Sequence, residues 1–169
     1  MKEQIKQLPI YLGLIAVVVV GLIWFSNNSK TKTPTAAINE KFSGVLALKE
    51  SQYDFGAVSM AKGKVSKEFA LENKSQGDVK IGEVFTSCMC TEAELKVGDR
   101  TAGPFGMQGH TASSVYLVMK SGETLTVKVI FDPAAHGPSG VGPIERQVAI
   151  YTSAGKDPIL LDFKAVVTP

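Results

Sequence analysis

The chain has 169 residues, 44% of them hydrophobic, and a formal net charge of +2 from 18 Lys and Arg against 16 Asp and Glu. That near-neutral balance, with the positive residues scattered rather than gathered into a stripe, excludes nucleic acid as a partner.

The N-terminus differs from the rest. Residues 7–29 carry no charge, and Ile10 to Phe25 is almost wholly apolar. A helix of about 20 residues crosses the roughly 30 Å hydrocarbon layer of a bilayer. The pattern therefore predicts a membrane anchor over residues 1–29, with a transmembrane helix at about 8–27 seated in the lipid bilayer. Pro9 suits a first helical turn, and Tyr11 and Trp24 lie near the two ends, as interfacial aromatics do. A buried core helix is one competing reading and a cleaved signal peptide the closer one. A signal peptide has a shorter apolar region and a small-residue site just after it. Here Phe25 leads into Ser26-Asn27-Asn28-Ser29-Lys30, and the nearest small pair, Ala36-Ala37, comes late. No cysteine follows the run, which argues against a lipoprotein. The expectation is an uncleaved signal anchor. Lys2 and Lys6 nearly balance Lys30 and Lys32, and the α-amine tips the N-terminus inside. That makes a single-pass membrane protein whose C-terminal domain lies outside the cytoplasm.

Residues 30–42 continue a stretch rich in Ser, Thr, Asn, Lys and Ala and read as a flexible tether. From residue 43 to 169 the pattern changes to short alternating runs. Val65, Phe69 and Leu71 share one parity; Val79, Ile81 and Phe85 alternate similarly. So do Leu125, Val127, Val129 and Phe131, and then Ile159, Leu161, Phe163, Ala165 and Val167. Period 2 with β-branched and aromatic residues predicts half-buried strands. These fall near 45–49, 53–58, 64–72, 78–86, 115–120, 124–131, 144–152 and 158–167, with turn residues between them. No ordinary helix, internal repeat or second domain is evident after the tether. The fold class expected is all-β, an antiparallel β-sandwich preceded by one N-terminal transmembrane helix. A domain of this size can bury its own core.

Two stretches break the rhythm. Residues 97–114, with four glycines, Phe105, Met107 and His110, read as one long loop; residues 132–143, with His136, are the second. Phe105 is expected to plug the core. The chain's only two cysteines stand in Thr86-Ser87-Cys88-Met89-Cys90-Thr91. On an extended strand Cys88 and Cys90 would project side by side and Met89 would point the other way. Paired thiolates select soft ions such as Cu(I), and thiolate with imidazole suits zinc as well. The cofactor expected, if one is held, is therefore copper or zinc, bound by Cys88 and Cys90 with Met107, His110 or His136 folding over them. A strained local disulfide is the plainer alternative. A redox pair is a third, although the chain lacks the Cys-x-x-Cys helix start that lowers a thiol pKa.

Taken together, Tyr53-Asp54-Phe55-Gly56-Ala57-Val58, Gly63, Phe69, Asn73, Ser87-Cys88-Met89-Cys90-Thr91, Gly122-Glu123 and Phe131-Asp132-Pro133 resemble the bacterial family known as domain of unknown function 1573. The resemblance runs over about 53–167 and implies an exported, immunoglobulin-like sandwich. It marks Phe55, Gly56, Thr91, Asp132 and Pro133 as motif residues. The chain departs from the family pattern in having Met89 where glycine usually separates the cysteines, and in a longer stretch between Thr91 and Gly122. No Gly-x-Ser-x-Gly, His-Glu-x-x-His or phosphate loop is present. The expectation is a membrane-anchored binding or scaffold module, not an enzyme, contacting an unknown protein or envelope partner. The alternative from a different class is a soft-metal protein using Cys88 and Cys90. A filament subunit is a third reading that no processing signature supports.

Overall fold

The computed structural model describes residues 45–110 and 113–169. The predicted anchor at 1–29 and the tether at 30–42 lie outside these residues. Among the described residues no helix is long and apolar enough to cross a membrane.

Among the described residues, ten strands form two five-stranded sheets. They are β1 (Leu46–Leu48), β2 (Gln52–Ser59), β3 (Val65–Asn73), β4 (Val79–Thr86), β5 (Thr91–Val97), β6 (Arg100–Phe105), β7 (Ser114–Met119), β8 (Thr124–Phe131), β9 (Gly142–Thr152) and β10 (Ile159–Thr168). One sheet runs β1-β3-β8-β5-β6 and the other β2-β10-β9-β4-β7. The all-β sandwich and the strand positions expected from period 2 are present, but in β4 a bulge after Ile81 shifts the alternation, so Val84 and not the expected Phe85 joins Val79 and Ile81 in the core. The alternation is literal in β8, where Leu125, Val127, Val129 and Phe131 are buried. It is equally literal in β10, where Ile159, Leu161, Phe163, Ala165 and Val167 are buried. These inner faces meet to form the core, each full burial of a large aliphatic or aromatic side chain contributing roughly 1.5–3 kcal/mol.

Three expectations need correction. First, the sheets are not wholly antiparallel: β2 runs parallel to β10, while β10 runs antiparallel to β9. Second, residues 97–114 are not one loop. Val97 pairs with Arg100 across a two-residue turn in which Gly98 sits at φ +57°, and β6 follows as an edge strand. Pro104 is tolerated there because an edge strand has a free side. Phe105, at the end of β6, is buried in the core. Third, Thr91, Ala93, Leu95 and Val97 are the buried face of a strand that was not expected. Glu92, Glu94 and Lys96 alternate with them, but Ala, Glu and Lys are weak strand formers and hid the period.

Gly56 marks an irregularity in β2. Asp54 pairs with Lys164 and Ala57 with Val166, so Phe55 and Gly56 face one residue on β10. This is a β-bulge, and Gly56, at φ +65°, supplies the left-handed conformation it needs. The Gly56 N–H donates to Asp54 Oδ1 at 2.8 Å. Phe55 packs edge-on against Phe163, ring centroids 5.5 Å apart.

Candidate thiol site

Two connections cross from one sheet to the other beside each other. Residues 87–90 join β4 to β5, and residues 132–141 join β8 to β9. Their roots are adjacent because Thr91 pairs with Phe131. The backbone locks them together: the Asp132 N–H donates to the Cys90 carbonyl at 2.9 Å. Asp132 Oδ1 accepts from the Ala134 N–H at 2.9 Å, turning the chain at buried Pro133 toward His136.

Cys88 and Cys90 do not lie on an extended strand. They occupy the first and third positions of a tight turn closed by the Thr91 N–H on the Cys88 carbonyl, at 3.1 Å. The buried Thr86 hydroxyl lies 3.0 Å from each of the Cys88 and Thr91 carbonyl oxygens and donates across the turn. The turn brings the sulfurs closer than a strand would. The Cys90 S–H donates to Cys88 Sγ at 2.7 Å. Both cysteines are free thiols. Met89, between them, is 61% exposed.

Two basic side chains complete the cluster. His136 Nε2 lies 3.2 Å from Cys88 Sγ, and the Arg146 Nε–H donates to Cys90 Sγ at 3.3 Å. Cys88, Cys90 and His136 place their ligating atoms within 4.8 Å of one another. The other expected residues are placed differently. Met107 makes a backbone bridge with Thr86, and exposed His110 donates its backbone N–H to the Met107 carbonyl at 3.0 Å. Of the two histidines, His136 is the one grouped with the thiols. Arg146 was not anticipated. Its signal was present, since it shares the inward parity of Val148 and Ile150 on β9, where a charge needs a partner.

The two thiols are driven apart in acidity. Burial works against the Cys88 thiolate, but hydrogen bonds from the Cys90 side chain and backbone, then His136 and the charge of Arg146, outweigh it and bring Cys88 down to about 7. Burial pushes the Cys90 thiol up, and Cys88 beside it adds to the rise; Arg146 and Thr91 oppose it. Partial burial would depress Arg146, yet its bond to Cys90 and the neighbouring sulfurs hold it above its ordinary value. The arrangement is a reachable thiolate on Cys88 backed by a buried thiol on Cys90. A cleft of about 110 Å³, lined by Lys64, Met89, Glu92 and Asp132 among others, reaches Cys90 from the side.

No curated protein sequence matches the chain. Among solved structures, the fold is similar to a protein of unknown function from Porphyromonas gingivalis W83. The identity is 16% and the TM-score 0.53, over 75% of this chain and 50% of that one. A family 123 glycoside hydrolase from Clostridium perfringens matches at 6% identity and a TM-score of 0.50, over 69% of this chain and 22% of that one. The chain thus spans half of the first protein and about a fifth of the second, and both likenesses show the fold alone. Residues 46–103 match the family model described as "Protein of unknown function (DUF1573)". That stretch, about a third of the chain, holds the Tyr53–Val58 and Cys88–Thr91 motifs, and over it the chain is similar to the DUF1573 family.

Proposed function

We propose that this protein is a binding module whose ligand is one soft metal ion, held by Cys88, Cys90 and His136. The observation that carries this reading is the convergence of their three ligating atoms within 4.8 Å. Thiolates select soft cations, and imidazole is a common third donor. Copper(I) fits better than zinc. Two thiolates on a monovalent ion leave one negative charge, and the Arg146 guanidinium stands beside it. A structural zinc would need a fourth donor. Two thiolates bonded to one ion at about 2.3 Å with a single further donor sit roughly 4 Å apart. Binding therefore widens the present 2.7 Å separation between the half-buried Cys88 sulfur and the buried Cys90 sulfur.

The proposal includes the setting expected from the sequence. A helix at about 8–27 anchors the chain, and an immunoglobulin-like sandwich faces the outside of the cytoplasm, where it meets a protein or envelope partner. The apolar run of Ile10 to Phe25 supports the anchor.

Native mass spectrometry of the reduced full chain in detergent tests the metal reading, with Cu(I) in one sample and Zn(II) in another. One retained copper ion per chain is expected, absent in Cys90→Ser. In His136→Ala the affinity falls about tenfold or more. A wild-type chain that keeps no ion from either sample sinks the reading.

A further inference from the structure

Thiol–disulfide exchange needs one sulfur that a substrate can reach and a second sulfur that can reach the first. Cys88 and Cys90 divide these parts. Cys88 is half-buried beside the exposed His136, whereas Cys90 is 2% exposed. Their separation of 2.7 Å is within about 0.7 Å of a bonded pair, taking the disulfide length as about 2.05 Å. Closing a bridge thus asks for less movement than opening the pair around an ion. The turn that holds them is fixed by backbone bonds at both ends, through Ser87 N–H to the Gln147 carbonyl at 2.9 Å and Asp132 N–H to the Cys90 carbonyl at 2.9 Å. The sulfurs can join while both strand ends stay in place. Arg146, donating to Cys90 Sγ at 3.3 Å, offers a fixed positive charge to a sulfur that becomes a thiolate during exchange.

A docking feature lies beside the sulfurs. Met89 stands 61% exposed between them and lines the cleft that also reaches Cys90. An exposed thioether next to polar Glu92 and Asp132 suits an extended polypeptide with mixed side chains.

We propose that Cys88 and Cys90 form a dithiol–disulfide exchange site for the disulfides of extended peptide and protein segments. The Cys88 thiolate attacks one sulfur of the substrate bridge, the substrate S–S bond breaks, and the second substrate sulfur leaves as a thiolate. Cys90 gives its proton to that leaving thiolate and attacks Cys88 Sγ. The mixed disulfide breaks, the first substrate sulfur leaves, and the Cys88–Cys90 bond forms. The substrate gains two electrons and the pair loses two. A bridge spanning a single residue is strained, and strained disulfides are readily reopened. The closed pair therefore passes its bridge to a substrate dithiol by the same steps in reverse. This activity goes beyond metal binding and does not rest on it; a bound ion would occupy the same sulfurs and block it.

The test uses the full chain in detergent, reduced, stripped with a chelator and mixed with oxidised glutathione. The reaction is quenched with acid and followed by intact mass and peptide mapping. The wild type is expected to gain one glutathionyl group and then lose it, ending two hydrogens lighter than the starting dithiol. Cys90→Ser is expected to stop with the glutathionyl group on Cys88, and Cys88→Ser to react about tenfold slower or less. A wild-type chain that keeps a stable mixed disulfide, or does not react, overturns the proposal. So does Cys88→Ser reacting as fast as wild type when its melting curve matches wild type. Working in chelator keeps a negative result separate from the copper experiment.

Discussion

Iodoacetamide is expected to alkylate Cys88 of the metal-free chain along a pH profile with its midpoint near 7, while Cys90 stays almost untouched. The midpoint follows from the Cys90, His136 and Arg146 contacts that bring Cys88 down to about 7 from its ordinary 9.0. Cys90 moves the other way, above its ordinary 9.0. At pH 7, thiolate fractions alone make Cys90 at least about 50-fold slower, and its burial adds to the gap. Mass-resolved alkylation across pH 5–10 measures both. A Cys88 midpoint near its ordinary value would show that His136 and Arg146 do not act on it as their distances imply. The same shift makes the fold pH-dependent. Because the folded value lies below the unfolded one, Cys88 favours the folded state fully only above about pH 9. That support is lost as pH falls through about 7. Cys90, raised on folding, begins to oppose it above pH 9.0. Melting temperatures of metal-free wild type should thus rise between pH 7 and 9 relative to Cys88→Ser. An identical pH dependence in the two proteins would contradict the assignment.

Asn73→Ala is expected to lower stability by roughly 3 kcal/mol and the melting temperature by about 10 °C. Asn73, the last residue of β3, is fully buried. Its Nδ2 donates to the Gly77 carbonyl at 2.9 Å and the Met119 carbonyl at 3.1 Å. Its Oδ1 accepts from the Ser75 N–H at 3.0 Å and from the Ser75 hydroxyl at 2.7 Å. One amide therefore fastens the end of β7 to the turn between β3 and β4. Water can replace it at exposed Gly77 and half-buried Ser75 but not at the buried Met119 carbonyl, and the lost bond to that group carries much of the cost. Asn73→Asp should be at least as harmful, since a carboxylate offers no donor and puts charge against two carbonyls. The effect should stay local. Glu72 pairs with Thr124 at the start of β8, whereas Phe131 at its far end pairs with Thr91 beside the thiols. Chemical denaturation gives the stability, and Cys88 alkylation gives the site. A loss under 1 kcal/mol in both variants, or a shifted Cys88 profile, would refute this account.

What could be read from the residues differed between strand and site for physical reasons. β8 and β10 declare themselves because their buried positions are almost all β-branched, aromatic or leucine at strict period 2, whereas β4 keeps that period only to Ile81, beyond which a bulge turns Val84 rather than Phe85 inward. β5 keeps the period but places Thr91 and Ala93 on it, and β6 turns only Ala102 and Phe105 to the core, so neither carried enough apolar contrast. The parallel partnership of β2 and β10 joins segments about a hundred residues apart, and nothing local encodes it. The thiol pair was plain in the sequence, but its partners were not. Choosing His136 over His110 depends on which connection crosses beside the Cys88–Thr91 turn, a property of sheet order. Arg146 sits fifty-six residues from Cys90 and reaches it only because β9 lies next to β4.

The pairing of β2 with β10 also decides how the sandwich answers to force. The two strands point the same way, so Gln52 at the start of β2 and Thr168 at the end of β10 lie at opposite ends of one shared ladder. A load applied between those residues pulls the strands lengthwise past each other. The hydrogen bonds from Asp162–Gln52 to Thr168–Ser59 then resist together in shear, where an antiparallel pair pulled from adjacent ends would peel one bond at a time.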